Sequence, residues 1–153
     1  DVLPTLPHPV RAYFERERPI ELRPVDLERY PSGASAQLGN RLWFRATRAL
    51  PDDQALHRCI LAYASDITLL DAALVRHQTS VFDPGVLPAS LDHVMWFHRP
   101  CRADDWLFYE QESPNAGGGR GYSRGLIFTR DGTLIASVAQ EGIIRQKRGH
   151  WGS

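Results

Sequence analysis

The sequence predicts an α+β fold in which a curved antiparallel sheet wraps around one long central helix. Three observations lead there. Residues 53 to 76 follow a helical pattern that is apolar nearly all round, centred on LAYASDITLLDAAL at 61 to 74, and a helix of that kind is normally wrapped by other structure. Four strand-like segments follow it, separated by turn residues. Two more strand candidates precede it. A sheet curled around a single apolar helix satisfies that order. The chain has 153 residues, 42% of them apolar, which suits one domain with a moderate core and is too short for two ordinary ones.

The elements follow in order. Residues 1 to 16 open with the proline-dense DVLPTLPHPV and read as a linker or extended arm. RPIELRPVD, 18 to 26, alternates Ile20 and Leu22 with charge, and its prolines suit an edge strand. PSGASAQLGN, 31 to 40, is a loop on its turn residues, and RLWFRATRAL, 41 to 50, is a strand candidate. Pro51-Asp52-Asp53 then starts the helix, with Asp52 or Asp53 as its cap. Arg76 and His77 suit its C-terminus. The later strands are ASLDHVMWFHR (89 to 99), WLFYEQES (106 to 113), GYSRGLIFTR (121 to 130) and TLIASVAQEGIIRQ (133 to 146). Asp131-Gly132 marks a hairpin between the last two. The domain thus spans 17 to 146, and 147 to 153 form a loose tail.

Composition narrows the function classes. The net charge is +0 and Lys147 is the single lysine, so the electrostatic signature of a nucleic-acid or anionic-membrane partner is absent. No apolar run approaches the roughly 20 residues of a membrane span, and no signal-peptide pattern is present, which makes a cytoplasmic setting the expectation. Cys59 and Cys101 form no C-x-x-C pair, so neither a zinc site nor a disulfide scaffold is expected. The chain begins with Asp1 rather than Met, as a piece of a longer polypeptide would.

Candidate chemistry is sparse. GGGRG, 117 to 121, fits neither phosphate-loop pattern, because Tyr122 and Arg124 stand where glycine is needed. It reads as a strand connection, with Arg120 and Arg124 solvated. Asp92-His93 resembles an acid–base pair, but adjacent strand residues point to opposite faces. His57 and His77 flank the helix and are expected at the surface, and no set of residues has metal-ligand spacing. Gln140 shares a strand face with Leu134, Ala136, Val138 and Ile144. It either satisfies a backbone group or serves a site. Asp66 interrupts the apolar helix and is costly there unless hydrogen-bonded or put to use. A carboxylate and an amide pointing from helix and sheet into one interior suit a general base for water.

Three motifs, AYASD (62 to 66), SLDHVMWFHRP (90 to 100) and VAQEG (138 to 142), resemble in order and spacing the C-terminal half of the acyl-CoA thioesterase II family. RPIELRPVD, DDWLFYEQES and RDGTLIAS extend the similarity over about residues 17 to 146. The resemblance implies a hot-dog fold and hydrolysis of fatty acyl-CoA to free acid and coenzyme A, without cofactor, metal or covalent intermediate. By position it assigns the water-holding Asp, Ser and Gln of that family to Asp66, Ser90 and Gln140. For Asp66 and Gln140 the residue pattern agrees on an interior setting. Strand parity instead groups Ser90 with Asp92 and His98, so its role rests on the resemblance; a bulge or a strand start there would reconcile the two. Family members usually hold two such domains in one chain, so a lone copy is expected to form a homo-oligomer or to pair with an N-terminal hot-dog half. Two rival readings are a hot-dog half that binds acyl-CoA without turning it over, and a hydratase, which would want a histidine beside an acid.

Overall fold

In a computed structural model of the chain, residues 3–25, 39–75, 77 and 79–146 are described. A short 3-10 turn, Leu3–Thr5, precedes helix α1, His8–Glu15. Strands β1 (Ile20–Pro24) and β2 (Gly39–Ala46) lead to helix α2, Gln54–Leu69, and to the short α3, Asp71–Val75. Then come β3 (Val86–Ser90), β4 (Val94–Phe97), β5 (Leu107–Gly117), β6 (Arg120–Phe128) and β7 (Leu134–Gln146). Among the described residues these strands form one antiparallel sheet in the order β1-β2-β5-β6-β7-β3, with β4 also paired to β7. β1 is an edge strand, where Pro24 costs the sheet no central hydrogen bond.

The inner face of the sheet grips α2. Its buried side is His57, Leu61, Ala64, Ser65, Thr68 and Leu69, the i, i+4, i+7 rhythm of one helical face. Leu42, Phe44, Leu107, Tyr109, Ile127, Ile135 and Val138 meet it from the strands. A buried polar thread runs beneath: Asn40 Nδ2 donates to Gln111 Oε1 at 2.8 Å, and Gln111 Nε2 donates to Thr68 Oγ1 at 2.7 Å. The helix starts where Asp53 accepts from the Ala55 N–H at 2.9 Å. Asp53, not Asp52, is thus the cap.

Several expectations are corrected. The proline-dense start holds helix rather than extended arm. Pro9 falls in the first turn, where its missing N–H costs nothing, and Leu6 and Val10 are buried. The long helix is interrupted at Leu70, so α3 is a separate turn. The segment 89 to 99 is two strands, β3 and β4, hinged at residues 91 to 93. Both pair with β7, and the Leu91 N–H donates to Glu141 O across the gap at 2.9 Å. His57 is buried rather than exposed: its Nδ1 accepts the Ala103 N–H at 3.1 Å. The 147–153 tail and the 31–38 part of the expected loop lie outside the described residues.

Gly118 and Gly119 take φ of 61° and 76° in the β5–β6 turn, which accounts for the glycine run. Arg120 and Arg124 meet carboxylates, Glu141 at 3.3 Å and Glu112 at 2.5 Å. No helix among the described residues is long and apolar enough to cross a membrane.

Candidate active site

Asp66 projects from α2, Ser90 ends β3 and Gln140 sits within β7. These residues are 24, 50 and 74 positions apart, yet their side chains meet. Gln140 Nε2 donates to Asp66 Oδ1 at 2.5 Å and to Ser90 Oγ at 2.7 Å. The Ser90 hydroxyl makes a longer contact of 3.4 Å to the same Asp66 oxygen. A primary amide has two N–H groups, and both are spent here. The structure therefore brings all three expected residues together. Asp66 Oδ2 is left without a hydrogen bond among the described residues.

Of the interior setting expected for Asp66 and Gln140, only that of Gln140 is found. Gln140 is 1% exposed, as the alternation of Ala136, Val138 and Gln140 predicts. Asp66 and Ser90 are exposed in this chain. The buried side of α2 passes through Ser65, so Asp66 falls on its flank, beside the β3–β4 border where the sheet ends. Its carboxylate is hydrogen-bonded without being enclosed. The exposure of Ser90 agrees with its strand parity, which set it apart from the interior face. It is nonetheless the last residue of β3, opposite Gly142, and at that strand end its hydroxyl accepts from Gln140 Nε2.

Asp92 and His93 do not act as a pair, although they lie in the hinge rather than in a strand. Asp92 Oδ1 accepts the Glu141 N–H at 2.7 Å, and His93 Nε2 lies 3.0 Å from Ser65 Oγ. Each ties the hinge to a different neighbour, one to β7 and one to α2. Sequence reasoning set the dipeptide aside and so missed His93 as a contact one residue from Asp66. No local signal marked it, because the hinge that carries it is held by β7. Burial pushes the Tyr109 phenol above its ordinary value and the Asp66 charge adds to the rise, so Tyr109 stays a neutral donor to Ser65 O at 3.2 Å. Both cysteines are free, Cys59 at the surface and Cys101 buried.

The rim around the site is apolar. Leu87, Leu91, Val94, Trp96 and Phe97 are all exposed large side chains along β3, β4 and the hinge between them. They form the free side of the sheet's β3–β4 end. The chemistry this arrangement offers is a carboxylate with one oxygen held by an amide and a hydroxyl, and the other open.

Comparison with known proteins gives a consistent result. The family model for acyl-CoA thioesterase matches residues 9–143. Acyl-CoA thioesterase 2 of Haemophilus influenzae is 40% identical over 144 residues, 94% of this chain and 50% of that protein. Acyl-coenzyme A thioesterase 8 of Mus musculus is 43% identical over 133 residues, 86% of this chain and 41% of that protein. The chain thus spans about half the length of the curated relatives it matches. Among solved structures, an acyl-CoA thioesterase II from Mycobacterium marinum superposes with a TM-score of 0.73 at 44% identity, over 86% of this chain and 51% of the other. A hot-dog-fold protein from Alicyclobacillus acidocaldarius superposes with a TM-score of 0.62 at 16% identity, over 84% of this chain and 46% of the other. It shares the fold: a curled antiparallel sheet around a long helix.

Proposed function

This chain belongs to the acyl-CoA thioesterase family, and from that premise we propose that it hydrolyses fatty acyl-CoA to free acid and coenzyme A through a water held by Asp66, Ser90 and Gln140. The observation that supports it is the double donation of Gln140 Nε2 to Asp66 Oδ1 and Ser90 Oγ. Asp66 Oδ2 is the open oxygen and takes the proton of the attacking water. The water oxygen bonds to the thioester carbon, the carbon–sulfur bond breaks, and the departing thiolate receives a proton. Ser90 and Gln140 hold the carboxylate and the water in line. Backbone N–H groups polarise the thioester oxygen as charge builds on it.

The exposure of Asp66 and Ser90 and the apolar rim beside them support a second element of the proposal. The substrate lies against this border, and another hot-dog half, a second copy or a separate N-terminal half, closes over it. The same exposure favours one alternative reading, an acyl-CoA-binding half that turns over only when so paired. A thioesterase assay over a chain-length series, run on this chain with and without a companion half, separates the two. Asp66→Asn lowers palmitoyl-CoA hydrolysis by about 10²- to 10⁴-fold, the usual size of a lost general base, with an unchanged circular dichroism spectrum. Turnover equal to wild type overturns the assignment.

A further inference from the structure

The amide of Gln140 is only half accounted for. Both N–H groups are used, but Oε1 is buried without a partner. Ser123 Oγ is also buried without a partner. The two residues are 1% and 0% exposed, and they face each other directly across the β6–β7 ladder. Buried polar groups in folded proteins are hydrogen-bonded as a rule, so two orphaned atoms on one cross-strand pair call for a common explanation. They are complementary: the carbonyl oxygen can only accept, and the hydroxyl has an unspent proton.

The surroundings seal this pair from solvent. Residues 121 and 142, two places along each strand, are glycines beneath the break between α2 and α3. A Cβ at Gly121 would stand 2.4 Å from Ala73 Cβ, and one at Gly142 would stand 2.6 Å from Leu70 Cδ1. The helix therefore presses onto the sheet beside Ser123 and Gln140.

We propose that Ser123 is a positioning residue for the site: through one buried water its hydroxyl hydrogen-bonds Gln140 Oε1 and anchors the amide from behind. A single water can join two oxygens that make no direct bond. Asp66 and Ser90 decide which end of the amide is nitrogen; Ser123 holds the other end, so the plane cannot rock. The inference rests on the proposed role of Gln140, and its test includes a readout that does not need activity.

Ser123→Ala removes one buried oxygen and adds no bulk. The expected result is a kcat for palmitoyl-CoA lower by about 10- to 100-fold, the scale of a slightly misplaced catalytic group, with KM unchanged. In a Gln140→Ala background Ser123→Ala costs nothing further, as coupled residues require. The independent readout is the side-chain amide of Gln140 in ¹⁵N NMR, identified by its loss in Gln140→Ala. Its protons exchange slowly with solvent in the wild type and much faster in Ser123→Ala. Should the alanine variant not fold, Ser123→Cys, of similar size and a weaker donor, is read in the same way. Unchanged amide exchange, or a kcat equal to that of an active wild type, overturns the proposal. A wild type that hydrolyses nothing even when paired overturns the hydrolase reading instead, and the exchange measurement still decides the role of Ser123.

Discussion

Arg102 grips Asp104 with two nitrogens, at 3.0 and 2.9 Å, and the Leu50 N–H adds a third bond at 2.9 Å. The Arg102 side chain first, and then the Leu50 N–H, hold the Asp104 carboxyl well below the usual carboxylate range. A depressed folded-state pKa contributes stability that is complete above the unfolded value, about 3.9 for aspartate, and is lost as pH falls through the depressed one. Asp104→Asn therefore lowers the thermal midpoint at pH 7 by roughly 2–4 °C, the shift expected for about 1 kcal/mol in a domain of this size. That gap closes as the pH is lowered below the carboxylate range, which thermal scans across a pH series measure. At this scale the sequence was unevenly legible. Gln140 could be read from strand alternation because β7 is long and regular. Asp66 could be found but not located, since a helix apolar on most sides does not reveal which flank the sheet leaves open. His57 was misjudged because its burial depends on the Ala103 N–H, which arrives from a loop 46 positions away. Ser123 was passed over because a small polar residue between two glycines looks like strand packing.

Two glycines let the helices rest on the sheet, and they differ in how much room their neighbours can give. At Gly121 the obstructing atom is Ala73 Cβ, which cannot move unless α3 moves. At Gly142 the nearest atoms are the ends of the flexible Leu70 side chain, with Ala89 O at 3.1 Å behind them. Gly121→Ala accordingly destabilises by about 1–3 kcal/mol, the usual cost of overpacking, and more than Gly142→Ala does. Denaturant unfolding of the two variants checks that order. Element by element, regular features were readable. The hairpin at Asp131-Gly132 is there, with Gly132 at φ 87°, and so are the capped start of α2 and the β1 edge. The features that escaped depend on partners distant in sequence. Nothing local marks the β3–β4 hinge, which is held by Glu141 of β7. The α1 helix was hidden by its prolines, although one of them stands in the first helical turn where it is tolerated.

The whole molecule is a sheet with one plain edge and one apolar border. β1 closes the first side with Arg23 and Arg45 on Glu21, a charged surface of the kind that discourages strand pairing. The β3–β4 side instead exposes Leu87, Leu91, Val94 and Trp96. Under the proposed pairing, light scattering finds a species of at least twice the chain mass, and Leu87→Glu shifts it toward the monomer; a wild type that stays monomeric at every concentration counts against the pairing. The class of fold was legible because the order of periodic segments left few arrangements. The exposure of Asp66 was not, because exposure is a property of what surrounds a residue rather than of its spacing. That exposed carboxylate has a kinetic corollary. If the working pocket is finished only across a seam between two bodies, specific activity is not constant: it falls on dilution once the seam begins to dissociate, and recovers on concentrating the sample. An enzyme whose cleft is sealed within a single polypeptide shows no such dependence.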